Sequence, residues 1–333
     1  MVLVNGKAIN LMKSTIHLIE SDASFRKFYR IKLNKKSKIL VTAEKEKYKN
    51  LVAYLSVNEF LRKNKILTPK LYDYDLSKNM IIIEDFGSLS FYNVLSSKKN
   101  KLEVYRKIVD LLLKIQKIKP KDKIKNVHGK LHKIDKYSNK YLFEESDLFF
   151  DWYLPFFLTK KKANKIKNKS NKILLNLYNK LNFPNSYFVH RDFHVQNLMQ
   201  INSKIGVIDS QDAMIGNPSY DLVSLIDDVR IKTSNKLKNQ IFKYYINFFC
   251  QAHKFEEKKF LEDFNILSVQ RSLKIIGIFS RLFKRDKKNK YLKFLPYTWK
   301  LLEMRMRSNM FLELRKVLDR NISKKTRKKI FFK

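Results

Sequence analysis

The sequence predicts an α+β fold in which a small β-rich N-terminal part, residues 1–86, precedes a larger and mainly helical part, residues 87–333. Three observations carry this. Strand-like runs alternate with turns as far as Ile83, apolar residues recur at three- and four-residue intervals after Phe91, and two short apolar runs between Tyr187 and Ile208 lead into closely spaced polar residues. At 333 residues and 44% apolar content, the chain can bury a large core as one unit.

In chain order, residues 16–20 read as a strand, 21–24 as a turn, 25–33 as a strand with alternating aromatics and 38–41 as a third strand. Residues 44–64 read as a helix, because Leu51, Tyr54, Leu55, Asn58 and Leu61 recur at helical spacing. Residues 71–74 and 80–83 close the sheet. Leu102, Tyr105, Ile108, Val109, Leu112 and Ile115 form an amphipathic stripe that Pro120 stops, and 119–126 is expected to be a solvated loop. The aromatic cluster 148–158 reads as core, although Asp151 and Trp152 could edge a sugar. Residues 159–172 carry seven lysines and are expected to be an exposed loop or helix face. Residues 237–249 form a strongly apolar, aromatic helix. Gly277 sits in mid-helix at a cost of about 1 kcal/mol against alanine, which implies close packing or approach of a substrate. The basic segment 321–333 is expected to fray.

The chemistry concentrates in residues 187–228. An apolar run, Tyr187 to Val189, leads into His190-Arg191-Asp192; Asn197 follows five residues after Asp192, and a second run, Ile205 to Ile208, delivers Asp209. Singly, each piece has a structural reading, as a capped turn or the end of a strand. Together they have the layout phosphoryl transfer requires: a carboxylate to orient and deprotonate an acceptor hydroxyl, and oxygen ligands on a second element to hold Mg²⁺ against a triphosphate. Asp192 fits the first role. Asn197 and Asp209 fit the second if the intervening residues form a hairpin. His190 fits a loop-organising hydrogen-bond partner better than a base, because the better-placed carboxylate lies two residues on.

At these residues the chain resembles the aminoglycoside phosphotransferase and choline kinase superfamily, whose members share the protein-kinase-like two-lobed fold. It is most similar to the bacterial anomeric N-acetylmuramate/N-acetylglucosamine kinases. That group carries HRDxHxxNLM, GVIDFQDA and a Tyr-Asp-Leu-Val-Ser-Leu block, matched here by residues 190–199, 206–213 and 220–225. The resemblance implies Asp192 as base, Asn197 and Asp209 as Mg²⁺ ligands, and Asp221 as a buried acid bracing the catalytic loop. The stretch SDASFRKFYR, residues 21–30, is similar to one in the same group and implies that Ser21, Ser24 and Arg26 contact the triphosphate of ATP. Residues 81–87 resemble the kinase segment that hydrogen-bonds adenine, which makes Glu84 to Phe86 the expected hinge and residue 86 the end of the first domain. Residues 271–296 also resemble a helix of the sugar kinases.

Two departures stand out. The third strand has no internal lysine of the kind protein kinases pair with a helix glutamate: Lys38 sits at its start, and Arg26 or Arg30 are the possible replacements. In the catalytic stretch, Val195-Gln196 stands where the sugar kinases have Ser-Arg, and Ser210 replaces an aromatic residue. His194, Gln211 and Asp212 are the expected contacts to sugar hydroxyl and amide groups, with loop bracing as the alternative role.

The net charge of +40, from 71 Lys+Arg against 31 Asp+Glu, suits a polyanion partner. The lysines are nevertheless spread along the chain rather than gathered in one stripe with aromatics, so a compositional bias accounts for them better than a nucleic-acid site. No apolar run of about eighteen residues occurs, so no membrane span is expected. The N-terminus lacks a secretory pattern, and the single Cys250 is expected in the core of a cytoplasmic protein. The expected activity is an ATP- and Mg²⁺-dependent kinase acting on a hydroxyl of a small-molecule sugar substrate. The best match is the anomeric hydroxyl of N-acetylmuramate or N-acetylglucosamine, as in cell-wall recycling. The alternatives are another small alcohol (aminoglycoside, choline, homoserine or methylthioribose) or a catalytically idle nucleic-acid-binding protein.

Overall fold

The computed structural model describes residues 2–4, 7–9, 15–19, 26–33, 36–43, 48–125, 129–253 and 256–329. The chain divides into two compact units. The first comprises Met1–Lys99, Pro120–Asp135 and His194–Ala213; the second comprises Asn100–Lys119, Lys136–Phe193 and Met214–Lys333.

In the first unit, β1 (Val2–Val4) pairs with β2 (Lys7–Ile9). An antiparallel five-stranded sheet follows from β3 (Thr15–Ile19), β4 (Lys27–Leu33), β5 (Lys36–Thr42), β6 (Leu71–Asp75) and β7 (Met80–Glu84), in the order β3-β4-β5-β7-β6. Strand alternation sorts its side chains. Ile39, Val41, Ile81 and Ile83 share one core cluster with Leu51, Val52, Tyr54 and Leu55 of α1 (Tyr48–Lys63), whereas Leu40 and Ile82 cluster separately with Ile31. A short helix, α2 (Phe91–Ser97), completes this part. The expected loop 119–126 instead contains β8 (Lys123–Lys125), paired with β9 (Leu131–Lys133). The reason is Ile124, buried between two exposed lysines: an alternation that the lysine content hid. The unit ends in a hairpin of β11 (Leu198–Ile201) and β12 (Lys204–Val207), whose turn residue Asn202 takes a positive φ of 52°.

The second unit contains α3 (Lys101–Gln116), α4 (Asn139–Leu148), α5 (Lys160–Tyr178), α6 (Ser219–Ile226), α7 (Asn235–His253), α8 (Glu257–Asp286), α9 (Leu295–Arg305), α10 (Leu312–Asn321) and α11 (Lys324–Lys328). It also holds the pair β10 (Tyr187–Val189) and β13 (Met214–Gly216). The lysine-rich segment is helical in α5, with Ala163, Ile166, Ser170 and Leu174 turned inward. After α4 the chain makes a π-helical turn, Phe149–Tyr153, which buries Phe149, Phe150 and Tyr153, with Phe149 and Tyr153 against Trp299. The aromatic cluster is therefore core, and Asp151 is bound by Lys167 at 2.9 Å.

Helix α8 is the 30-residue member against which α4, α6 and α9 pack. Gly277 allows this: a Cβ there would lie 2.3 Å from the Leu148 carbonyl carbon and 2.5 Å from the Phe149 nitrogen, so its role is close packing. Gly277→Ala is expected to lower the melting temperature despite alanine's helix propensity of about 1 kcal/mol in its favour, because backbone atoms must move apart at a cost of roughly 1–3 kcal/mol or more. A variant melting at or above wild type in a thermal scan would refute this.

Two other expectations are corrected. The C-terminal segment holds α11, and buried Arg327 donates to Glu303 at 2.8 Å with its guanidinium 4.9 Å from the Trp299 ring centroid, so this basic run is anchored as far as that residue. Cys250 is a half-buried free thiol on α7 rather than a core residue. Among the described residues, no helix is long and apolar enough to cross a membrane.

Candidate active site

In the second unit, β10 delivers His190, Arg191 and Asp192. The backbone N–H groups of His190 and Arg191 donate to the two carboxylate oxygens of Asp221 on α6, at 2.7 and 3.0 Å. Arg191 is a non-glycine residue at φ +69°, a conformation that persists only where its surroundings hold it. Three groups do so. Asp221 fixes its N–H, the Ser224 hydroxyl reaches its carbonyl at 3.4 Å, and its guanidinium donates to Glu145 on α4. Buried Glu145 also accepts from Lys274 at 2.8 Å, from Gln270 at 3.0 Å and from the Tyr137 hydroxyl. Asp192 itself is half-buried, within electrostatic reach of Lys274.

The two buried acids titrate in opposite directions. Burial pushes Asp221 up to about 6 against the pull of His190 and the two N–H groups. Burial would also raise Glu145, but Lys274 and Arg191 bring it down to about 2. As pH falls through about 6, Asp221 takes up a proton and loses the charge at which the loop amides point, so kcat/KM is expected to fall with an acid limb near pH 6. Stability should move the other way. A carboxyl whose folded value exceeds its unfolded one binds more protons folded, so roughly 3 kcal/mol of its burial penalty is relieved between about pH 6 and 4. Opposed trends in the rate profile and in melts over this window would support the assignment; an Asp221→Asn variant with an unmoved limb would refute it.

In the first unit, Asn197 precedes β11 and Asp209 follows β12, and the Ile208 N–H donates to the Asn197 carbonyl at 3.0 Å, which closes the base of the hairpin. Asp209 also has a positive φ, 63°. Its Oδ1 accepts from Gln211 Nε2 at 3.0 Å and lies 3.8 Å from Nη1 of the buried Arg26. Next to it, the Ser210 hydroxyl donates to Asn58 Oδ1 of α1 at 2.6 Å, both residues buried. Helix α1 thus offers a polar partner to Ser210. His194 is buried with Nε2 3.5 Å from the Asn197 amide, and exposed Asp212 accepts from Gln211 at 3.2 Å.

The three cations that could stand in for the third-strand lysine separate cleanly. Arg26 faces Asp209 and lies over the Tyr54 ring at 5.9 Å. Arg30 is committed elsewhere, donating to both oxygens of Asp85 at 2.6 and 2.9 Å and to the Gly87 carbonyl at 2.9 Å. Lys38 sits over the Tyr72 ring at 4.6 Å. Burial pushes Asp85 up, but Arg30, Ser37 and the Gly87 N–H together hold it below the usual carboxylate range. Glu84 accepts from the Lys70 N–H at 3.1 Å, and the Phe86 ring covers Gly206, where a Cβ would lie 2.6 Å from it. Ser21 and Ser24 lie outside the described residues.

These residues fit a magnesium ion. Mg²⁺ takes hard oxygen donors and binds through one or two protein ligands, with phosphates and water completing the shell. The Asn197 amide and Asp209 carboxylate are such donors, and the nearby Gln211 Oε1 is buried with no hydrogen-bond partner among the described residues. No group of three or more His, Cys, Asp or Glu able to hold a metal occurs among the described residues.

Glu145 and Lys274 were not read from the sequence as site residues. One signal was available: Leu142, Glu145 and Ser146 are the buried residues of α4, so the carboxylate lies on the apolar stripe of an amphipathic helix.

A five-stranded antiparallel sheet with its helix, a predominantly helical second unit and a braced His-Arg-Asp loop define a protein-kinase-like phosphotransferase. The chain belongs to the phosphotransferase enzyme family, whose family model matches residues 15–255. It is 28% identical over 288 residues to the N-acetylmuramate/N-acetylglucosamine kinase of Pseudomonas aeruginosa, covering 85% of this chain and 81% of that one. The fold is similar to that of Plasmodium vivax ethanolamine kinase, with a TM-score of 0.63 at 10% identity, covering 93% of this chain and 86% of that one. It is also similar to the ADP-bound aminoglycoside phosphotransferase APH(2'')-Ib, with a TM-score of 0.58 at 14% identity, covering 90% and 95%.

Proposed function

We propose that this phosphotransferase moves the γ-phosphoryl group of ATP to a hydroxyl of an N-acetylated amino sugar, the anomeric hydroxyl of N-acetylmuramate or N-acetylglucosamine being the best match. The observation that carries this is the clamp on the catalytic loop: Asp221 holds the His190 and Arg191 amides, and the chain then presents Asp192. Asp192 Oδ orients the acceptor hydroxyl and takes its proton. Asn197 and Asp209 would hold Mg²⁺, which when bound neutralises charge on the triphosphate. Arg26, with Ser21 and Ser24, contacts that triphosphate; backbone groups of Glu84 to Phe86 meet the adenine, and this hinge ends the N-terminal domain. His194, Gln211 and Asp212 contact the sugar. Sugar kinase relatives matched over most of the chain support this reading.

The test is ATP consumption with Mg²⁺ across amino sugars, aminoglycosides and choline, with the product read by phosphorus NMR. A coupled doublet from a sugar 1-phosphate is expected. Turnover confined to choline or an aminoglycoside would overturn the amino-sugar assignment.

A further inference from the structure

Helix α1 carries an amide where its spacing calls for an apolar side chain. Asn58 is only 3% exposed and falls on the stripe of Leu51, Tyr54 and Leu55, which pack against the five-stranded sheet. A buried amide is costly unless the protein itself supplies its hydrogen bonds, so its partners say what it is for. Its backbone carbonyl accepts from the buried Thr68 hydroxyl at 3.0 Å, which ties α1 to the segment that follows it. Its Oδ1 accepts from the Ser210 hydroxyl at 2.6 Å, across 152 residues.

Ser210 directly follows Asp209, whose φ of +63° is left-handed and persists only where the neighbouring chain is held. That chain is held on both sides by α1 and the segment after it. Before Asp209, the Val207 N–H donates to the Leu67 carbonyl at 2.8 Å; after it, Ser210 is bonded to Asn58. One turn earlier on the same face of α1, the Tyr54 ring lies 5.9 Å from the Arg26 guanidinium, which in turn lies 3.8 Å from Asp209 Oδ1. Helix α1 therefore meets Asp209 twice, through its backbone and through its counter-charge, and all of these residues belong to the first unit. A carboxylate that binds a metal depends on such bracing: loss of a contact that orients a ligand typically costs about 10- to 100-fold in metal affinity.

We propose that Asn58 is a positioning residue for the magnesium site: through Ser210 it fixes the left-handed turn at Asp209, so that helix α1 sets where the metal-binding carboxylate is presented. This rests on the reading of Asp209 as a magnesium ligand and deepens it. Asn58 takes no part in the transfer itself and acts through the Ser210 hydroxyl.

Calorimetric titration of ATP into the full chain, once with Mg²⁺ and once with EDTA, reads the metal's part in binding without turnover. In wild type Mg²⁺ is expected to tighten ATP binding, and Asp209→Asn to abolish that gain. Ser210→Ala and Asn58→Leu should each cut the ratio of the two dissociation constants about tenfold and raise the Mg²⁺ concentration for half-maximal rate by the same factor. ATP affinity in EDTA and kcat at saturating Mg²⁺ should stay within about threefold of wild type. The double variant should lose no more than either single one, because the two residues share one hydrogen bond. A lowered melting temperature with an unmoved Mg²⁺ midpoint would make the pair merely structural and overturn the proposal; additive losses in the double variant would overturn the route through Ser210. Ser210→Ala alone decides the matter if Asn58→Leu does not fold. Wild-type protein that binds ATP equally in Mg²⁺ and EDTA, or an Asp209→Asn variant that keeps the gain, would overturn the magnesium reading itself, an outcome distinct from a wild-type gain that survives in Ser210→Ala.

Discussion

Asp192→Asn is expected to lower kcat by roughly 10³-fold or more while leaving KM for ATP and the melting temperature close to wild type. The amide keeps the volume and one oxygen of the carboxylate, so it can still orient a hydroxyl. It cannot take the proton. The loop that presents it is fixed elsewhere, through the His190 and Arg191 amides on Asp221 and the Arg191 guanidinium on Glu145, so the substitution leaves the fold's anchors in place. The same assay separates the base from the bracing acid. Asp221→Asn retains Asp192 but disturbs the loop, and should shift the acid limb near pH 6 that the Asp192 variant is too slow to display. Turnover by Asp192→Asn above about a tenth of wild type would remove the residue from its assigned role.

The parts of this molecule that could be read from its sequence are those in which cause and effect lie close together along the chain. The hairpin of β11 and β12 is specified by two four-residue strands and a turn asparagine, and its local register brings Asn197 and Asp209 to one end. The aromatic run after α4 is core because its own rings bury one another and Trp299. The parts that could not be read depend on pairs far apart in sequence. Ser210 meets Asn58 across 152 residues, Arg191 meets Glu145 across 46, and nothing local in α8 marks Lys274 as the partner of Glu145. The third-strand lysine is instructive in the same way. Sequence left Arg26 and Arg30 equivalent, and what separates them is Asp85, 55 residues downstream, which takes Arg30 and leaves Arg26 facing Asp209.

Glu145→Gln should be strongly destabilising to the second unit. The carboxylate is the shared acceptor of Arg191, Lys274, Gln270 and Tyr137. Its neutral isostere would leave two half-buried cations, Arg191 and Lys274, without the anion they share. Removing one partner of a buried ion pair typically costs about 3–5 kcal/mol. For a unit of this size that corresponds to a fall in melting temperature of roughly 6–20 °C. The pH dependence follows from the sign of the shift. Because Glu145 is held down at about 2, against 4.5 for the free side chain, its contribution is fully present above about pH 4.5 and is lost only as pH falls through about 2. The gap between wild type and variant should therefore stay constant from pH 5 to 8 and narrow in strong acid. Activity should fall as well, by about 10- to 100-fold, since Arg191 adjoins Asp192 and loses the contact that holds its side chain. A double variant decides whether charge is the cause. Lys274→Met removes one of the two stranded cations, so Glu145→Gln with Lys274→Met should be destabilised less than the two single losses add up to. Strict additivity would mean that Glu145 and Lys274 are neighbours without being coupled.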